Sequence, residues 1–113
     1  MILHFCPRET WTAAQVAGEY AADSLVSEGF IHCSTAQLVH VPATALARGR
    51  TDLVLLEIDE SLLPEPPRYE PGDPSDPESA LFPHIYGPIP LAAVVGVREW
   101  HPQPDGSFAP LGC

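Results

Sequence analysis

Five histidines are the side chains of this chain best suited to proton transfer near neutral pH, because imidazole can act there as acid, base or hydrogen-bond partner. His4, His32 and His84 lie in apolar segments that are typical of strands. His40 lies in a predicted helix, and His101 follows a predicted strand. Each strand histidine alone is more typical of a hydrogen-bonded structural residue than of a functional one. The residues around them must therefore separate the two interpretations.

The segment EGFIHCS combines an aromatic ring, an imidazole and a hydroxyl group at every second position. Side chains alternate between the two faces of a strand, so Phe30, His32 and Ser34 are expected on one face. Ile31 and Cys33 are expected on the other, as ordinary core residues. A half-exposed strand with polar residues facing water explains the same pattern, but we favour a functional face.

The segment FPHIYGP gives a second face of the same kind. Alternation puts Phe82, His84 and Tyr86 together and Ile85 on the opposite side. The alternative is a proline-rich edge strand whose tyrosine packs its ring and leaves its hydroxyl group in water. These residues leave the choice between a site and an edge strand open.

Neither a metal site nor an activated nucleophile has support in the spacing of the residues. HxH, HExxH and CxxC patterns are absent, and adjacent His32 and Cys33 point to opposite faces of a regular strand. We therefore expect no metal. Alternation also buries the Cys33 thiol, and Ser34 is better explained as a helix N-cap than as a nucleophile.

The elements that must hold these faces are predicted from apolar periodicity and from turn residues. One helix is expected from Pro7 to Gly18 and another from Thr35 to about Arg48, opened by the capping box STAQ and kinked by a proline at position 42. Residues 19–28 should form a loop with a short helical turn. Strands are expected at 2–6, 30–34, 53–58, 68–70, 84–86 and 92–100, with a weak last strand near Phe108. Helices early and strands late predict an α+β fold.

Composition limits the class of protein and of partner. The chain has 113 residues, which suits a single domain over 1–113, and a formal net charge of −10, with arginine as its only basic side chain besides histidine. Such a balance argues against nucleic acid or an anionic membrane as partner. No apolar run is long enough to span a membrane, no secretory signal is evident, and three cysteines form no pairing framework. We expect a cytoplasmic protein that binds a small molecule.

The segments LHF, GFIHCST, LVLLEID, RYE and FPHIYGPIP occur in an order that resembles an uncharacterised bacterial family, domain of unknown function nine-five-two, over about residues 2–100. Members of that family are similar in fold to ADP-ribosyltransferases, in which small split antiparallel sheets enclose an NAD cleft. The resemblance therefore implies an ADP-ribosyltransferase-like α+β fold with two helices in the N-terminal half. It also implies NAD or ADP-ribose as the cofactor or ligand.

The same resemblance implies roles for particular residues. His4 would hydrogen-bond an NAD ribose, and His32 would contact the ribose or the nicotinamide end. Tyr86 would stack on the ligand beside His84, which would act as general acid or base. Glu70 is the candidate for the catalytic glutamate that steadies the oxocarbenium-like transition state.

The pyrophosphate of NAD requires a cation or a helix N-terminus. Arg8, at the start of the first helix, and the helix terminus at Ser34 and Thr35 are the candidates. The ExE or QxE pair of arginine-modifying transferases is absent from the sequence. A formal net charge of −10 is unsuited to an RNA-directed phosphotransferase, because RNA binding needs a basic surface. Two alternatives to an enzyme stay open, namely a non-catalytic module that binds a nucleotide or small ligand and an interaction domain whose histidines are structural.

Overall fold

The computed structural model describes residues 1–111 of the chain. Cys113, the third cysteine of the sequence, lies outside these residues. The described residues form eight strands and three α-helices, joined by short turns and two 3-10 turns at Glu60–Leu62 and Leu91–Ala93. In chain order the elements are β1 Ile2–Pro7, α1 Arg8–Ala17, β2 Glu19–Tyr20, α2 Asp23–Ser27, β3 Ile31–His32, α3 His40–Ala47, β4 Leu53–Ile58, β5 Arg68–Pro71, β6 Leu81–Ile85, β7 Ile89–Pro90 and β8 Val94–Trp100.

The strands pair into three small antiparallel sheets, so the predicted α+β class is confirmed. The sheets have the orders β1–β4–β8, β2–β7 and β3–β6–β5. A pair of main-chain hydrogen bonds between Leu3 and Ser34, each 2.8 Å long, joins the free edge of β1 to the residues after β3. The two larger sheets therefore meet at a seam beside β1.

The strand β4 is the centre of the packing, as its nearly continuous apolarity predicts. Val54, Leu56 and Ile58 point into one hydrophobic cluster, which also contains residues of β1, β3, β6 and β7. Leu53 and Leu55 point into a second cluster behind α3. Because both faces of β4 are covered, each of these side chains contributes about 1.5–3 kcal/mol of burial free energy.

The helix α1 lies where the sequence predicts it, but the number of helices differs from the prediction. α1 ends at Gly18, whose φ of +93° allows its N–H group to bond the carbonyl of Ala14 at 2.9 Å. Two helices were expected, but the predicted helical turn within 19–28 is a separate helix, α2, preceded by the short strand β2. Among the described residues no helix has the length and apolarity needed to cross a membrane.

The predicted capping box is wrong. α3 begins at His40, five residues later than expected, and its first turn contains Pro42. Proline is tolerated in the first turn of a helix because no intrahelical partner exists there for its missing N–H group. Pro42 therefore lies where the helix starts instead of kinking its middle. The main chain of Ser34 is already bonded to Leu3, so neither Ser34 nor Thr35 lies at a helix N-terminus.

The C-terminal segment packs without forming the predicted strand. Phe108 is 3% exposed and its ring lies 4.6 Å from that of Trp100, centroid to centroid. Its N–H group donates to Oγ1 of Thr44 in α3 at 2.9 Å. Prolines flank this segment and remove the N–H groups that a strand ladder needs, so side chains hold it in place.

Candidate functional site

Four ring-bearing side chains meet on one face of the β3–β6–β5 sheet. His32 lies opposite His84 in the β3–β6 pair, and their ring centroids are 5.2 Å apart. The Phe30 ring stacks on His84 at 4.2 Å and lies 4.7 Å from His32 and 5.3 Å from Tyr86. The two faces identified in the sequence are therefore parts of one cluster, which the pairing of β3 with β6 brings together.

His84 is held by a carboxylate. Its Nδ1 lies 2.8 Å from Oε1 of Glu70, and the same oxygen accepts a hydrogen bond from the Tyr86 hydroxyl group at 2.6 Å. A carboxylate oxygen only accepts hydrogen bonds, so the proton of a neutral His84 ring is on Nδ1 and the lone pair is on Nε2. The bonds from Tyr86 and His84 lower the pKa of Glu70 and keep it ionised. His84 is only 5% exposed, and within residues 1–111 no protein group bonds its Nε2.

His32 has a carboxylate partner of its own. Its Nε2 lies 3.0 Å from Oε2 of Glu28, four residues earlier in the chain. Both side chains are about half exposed, at 52% and 49%. The site therefore contains two imidazoles, each paired with a glutamate, one exposed and one buried. Glu28 was not predicted as a site residue, although its spacing of four residues from His32, across the turn at Gly29, is visible in the sequence.

His4 is bonded on both sides within the protein. Nδ1 donates to the main-chain carbonyl oxygen of His32 at 2.6 Å, and Nε2 accepts from the Tyr20 hydroxyl group at 2.7 Å. Burial lowers the pKa of His4 from 6.5 to about 4, so the ring is neutral at pH 7. His4 thus joins β1 to β3 and β2, and a ligand could bond its nitrogens only by replacing one of these partners. Tyr20, 2% exposed, was missed because it comes from another sheet.

A cavity of about 480 Å³ opens beside this cluster. His4, His32 and His84 line it, and four residues of α3 give it an apolar wall: Val41, Pro42, Ala45 and Leu46. Ser34, Asp73, Ser79 and Phe82 also line it. We call this cavity the histidine pocket. Its mixture of apolar wall and a few polar groups is typical of a small-molecule site.

The structure does not bring every predicted residue to the histidine pocket. Ser34 lines the pocket, whereas Thr35, Glu70 and Tyr86 are outside its lining. Tyr86 contacts the ring cluster through Phe30 and bonds Glu70. Arg8 lies in a larger, shallower depression beside α1, where its guanidinium pairs with Glu99 at 2.7 Å. The predicted pyrophosphate site of Arg8 and a helix terminus is therefore not assembled, because Arg8 follows the far end of β1 and α3 begins at His40.

Cys6 and Cys33 pack in the hydrophobic core, and Cys33 also lines the histidine pocket. Cys6 and Cys33 are both buried with free thiols, and burial raises the pKa of Cys6 to about 11 and that of Cys33 further. Such thiols are protonated at neutral pH and are poor nucleophiles. Within residues 1–111 no three His, Cys, Asp or Glu side chains are grouped so that they could hold a metal ion.

Solved structures of one bacterial protein are similar to this chain over almost its whole length. A crystal structure of CC0527 from Caulobacter crescentus, a Northeast Structural Genomics Consortium target, has a TM-score of 0.82 at 28% identity and covers 96% of this chain and 92% of that chain. A double mutant of CC0527 has a TM-score of 0.82 at 27% identity, with the same coverage. The solution NMR structure has a TM-score of 0.80 at 28% identity and covers 95% and 90% of the two chains. No curated protein matches the chain.

A family model described as "Protein of unknown function (DUF952)" matches residues 5–97. The matched region includes both histidine–glutamate pairs and the strands that carry them. It confirms the family resemblance that the short segments of the sequence indicate. The chain therefore belongs to the DUF952 family.

Proposed function

We propose that the histidine pocket binds NAD or an ADP-ribosylated small molecule and that the Glu70–His84 pair is its acid–base group. The observation that carries the proposal is the buried His84 ring, held by Glu70 at 2.8 Å with Nε2 free beside a cavity of about 480 Å³. A histidine whose tautomer is fixed by a carboxylate is the usual form of a general base.

The residues of the pocket suit one end of such a ligand. Phe82 and the apolar wall of α3 fit a planar base or a ribose face, and His32 offers a hydrogen-bond partner. No arginine lines the pocket among residues 1–111, so these residues fit the nicotinamide–ribose end and do not fit the pyrophosphate.

The chemistry assigned to the chain is proton transfer. NAD supplies an N-glycosidic bond whose electron pair leaves with nicotinamide. His84 accepts through Nε2 the proton lost by the water or alcohol that attacks the ribose carbon. Glu70 stabilises the resulting imidazolium, and Tyr86 fixes Glu70 by its hydrogen bond of 2.6 Å. In this proposal Glu70 is a positioning residue, because Oε1 already accepts two hydrogen bonds from the protein.

The test combines binding with turnover. A ligand that binds only the folded state raises Tm in a concentration-dependent way, so NAD or ADP-ribose should raise Tm. Nicotinamide release, followed by chromatography, should fall by about 10²- to 10⁴-fold in His84→Gln. Glu70→Gln should retain ligand binding and lose turnover. The control is His101→Gln, because His101 is 60% exposed and outside the pocket.

Each outcome separates the open alternatives. Binding without nicotinamide release in the wild-type protein would favour a non-catalytic ligand-binding module. No change in Tm with either ligand at millimolar concentration would refute the proposal and favour an interaction domain. Equal turnover in His84→Gln and wild type would refute the assigned role of His84.

A further inference from the structure

None of the arginines lines the histidine pocket, although Arg68 pairs with His84 across the β5–β6 register and lies over the Tyr86 ring. Arg8, Arg50 and Arg98 form ion pairs with carboxylates at 2.7, 2.7 and 3.0 Å. Arg48 donates to a main-chain carbonyl group, and Arg68 lies over a tyrosine ring with its Cζ atom 4.5 Å from the centroid. The chain contains no lysine. A phosphate group in the pocket would therefore meet no permanently cationic side chain.

Permanent charge at the pocket is negative. Asp73 lines the cavity, and Glu28 and Glu70 lie directly behind His32 and His84. Hydrogen bonds from Ser75 lower the pKa of Asp73, so that carboxylate remains ionised. Among the described residues that line the cavity, Asp73 is the one carboxylate, and no arginine accompanies it.

The Phe82 ring is an aromatic part of the lining and is held in place by the 71–79 loop. A Cβ atom on Gly72 would lie 2.8 and 2.9 Å from two carbons of the Phe82 ring, so only glycine lets the 71–79 loop pack on that ring. Gly72 and Phe82 both line the pocket, together with the apolar wall of α3. An aromatic ring beside a carboxylate favours a positively charged planar group.

From these observations we infer that the histidine pocket takes a cationic N-ribosyl pyridinium and leaves phosphate groups outside, so its preferred ligand is phosphate-free. The inference rests on the proposed function and narrows its ligand class. Nε2 of His84, which has no bond within residues 1–111, would then lie at the ribose end and Asp73 beside the pyridinium charge. A dinucleotide would bind through the same end, but with its pyrophosphate repelled by Asp73.

Isothermal titration calorimetry tests the inference with four probes on the wild-type chain. These are nicotinamide riboside, its uncharged 1,4-dihydro form, NAD and ADP-ribose. One contact between opposite charges about 4 Å apart near water corresponds to about a fivefold gain in affinity. We expect nicotinamide riboside to bind about fivefold tighter than its dihydro form and tighter than NAD. The charge-dependent difference should shrink between about 10 mM and about 0.5 M salt.

Two isosteric variants locate the charge. Asp73→Asn keeps an oxygen that accepts from Ser75 and removes the charge, so affinity for nicotinamide riboside should fall about fivefold while that for the dihydro form stays unchanged. Asp76→Asn is the matched control, because Asp76 makes a similar turn in the same loop without lining the pocket.

The outcomes distinguish this inference from the proposed function. If NAD or ADP-ribose binds more tightly than nicotinamide riboside, or if Asp73→Asn increases the affinity for nicotinamide riboside, the inferred ligand class is wrong and the proposed function stands. If none of the four probes binds, the proposed function fails, and the inference fails with it. If both asparagine variants weaken nicotinamide riboside equally, the charge acts at long range and the assignment of Asp73 is wrong.

Discussion

Replacing His4 by glutamine removes an imidazole that joins three strands from different sheets. In the native protein the ring donates to His32 at 2.6 Å and accepts from Tyr20 at 2.7 Å. A glutamine amide keeps one donor and one acceptor but cannot take up a proton. The variant therefore separates the proton chemistry of residue 4 from its hydrogen bonds.

The expected effect follows from the pKa of His4 in the two states. Burial holds the native pKa at about 4, against 6.5 for an unperturbed histidine. Between these values the unfolded chain binds more protons than the native one, so stability decreases as the pH falls from above 6.5 towards 4. The difference between the native and unfolded pKa values lowers the free energy of unfolding by about 3.4 kcal/mol at a pH below both values. At pH 5 the corresponding loss is about 2 kcal/mol. His4 borders the histidine pocket and keeps some solvent contact, so we expect about 1–2 kcal/mol at pH 5.

Urea unfolding at several pH values between 7.5 and 4.5 measures this effect. Carboxylates titrate in both proteins, so the difference between the wild-type and His4→Gln curves isolates residue 4. Between pH 7.5 and pH 5, the free energy of unfolding of the wild type should fall by about 1–2 kcal/mol more than that of His4→Gln. His101→Gln, an exposed control, should follow the wild-type curve. Parallel curves for the wild type and His4→Gln would refute the reasoning.

Three further predictions concern the site and the fold. Tyr86→Phe removes the hydrogen bond donated to Glu70, so the pKa of Glu70 should rise towards its usual value. NMR titration of the Glu70 carboxyl carbon measures this pKa, and an unchanged value would contradict the assigned contact. Leu56→Ala should lower the free energy of unfolding in urea by about 2–5 kcal/mol, because Leu56 is fully buried, whereas Leu46→Ala, at 80% exposed, should change it by less than about 0.5 kcal/mol. Gly18→Ala should lower the free energy of unfolding by about 1 kcal/mol and therefore lower Tm, because φ is +93° at this position. The cause would be backbone strain alone, since an added Cβ atom meets no atom within 4 Å, and an unchanged Tm would show that the helix end adapts.

The elements that local chemistry dictates could be predicted from the sequence. A run of apolar residues defined β4 at Leu53–Ile58, with the bounds that the structure has. Strand alternation correctly grouped Phe30 with His32, and it grouped His84 with Tyr86, both of which bond Oε1 of Glu70. The start of α3 was predicted wrongly because a proline within a helical pattern is compatible with a kink or with a first turn. Only the main-chain bonding of the preceding residues distinguishes the two.

Contacts between sheets could not be predicted, because they depend on register and packing over long separations. The bond between Glu70 and His84 spans 14 residues and requires the β5–β6 register, and that between His4 and Tyr20 joins two sheets. The family resemblance identified Glu70 as a candidate without its partner. Arg8 was assigned to the ligand on residue type alone, and its ion pair with Glu99, 91 residues away, has no signal in the sequence.

The packing of Phe108 on α3 means that the width of the histidine pocket depends on a residue outside its lining. Phe108 packs with buried residues of α3 and its N–H group bonds Thr44, while Val41 and Leu46 of the same helix line the pocket. A smaller or larger side chain at position 108 is expected to move that wall while every polar group of the lining stays the same. The size of the pocket can therefore change through a residue outside both its lining and the region 5–97 that the family model matches.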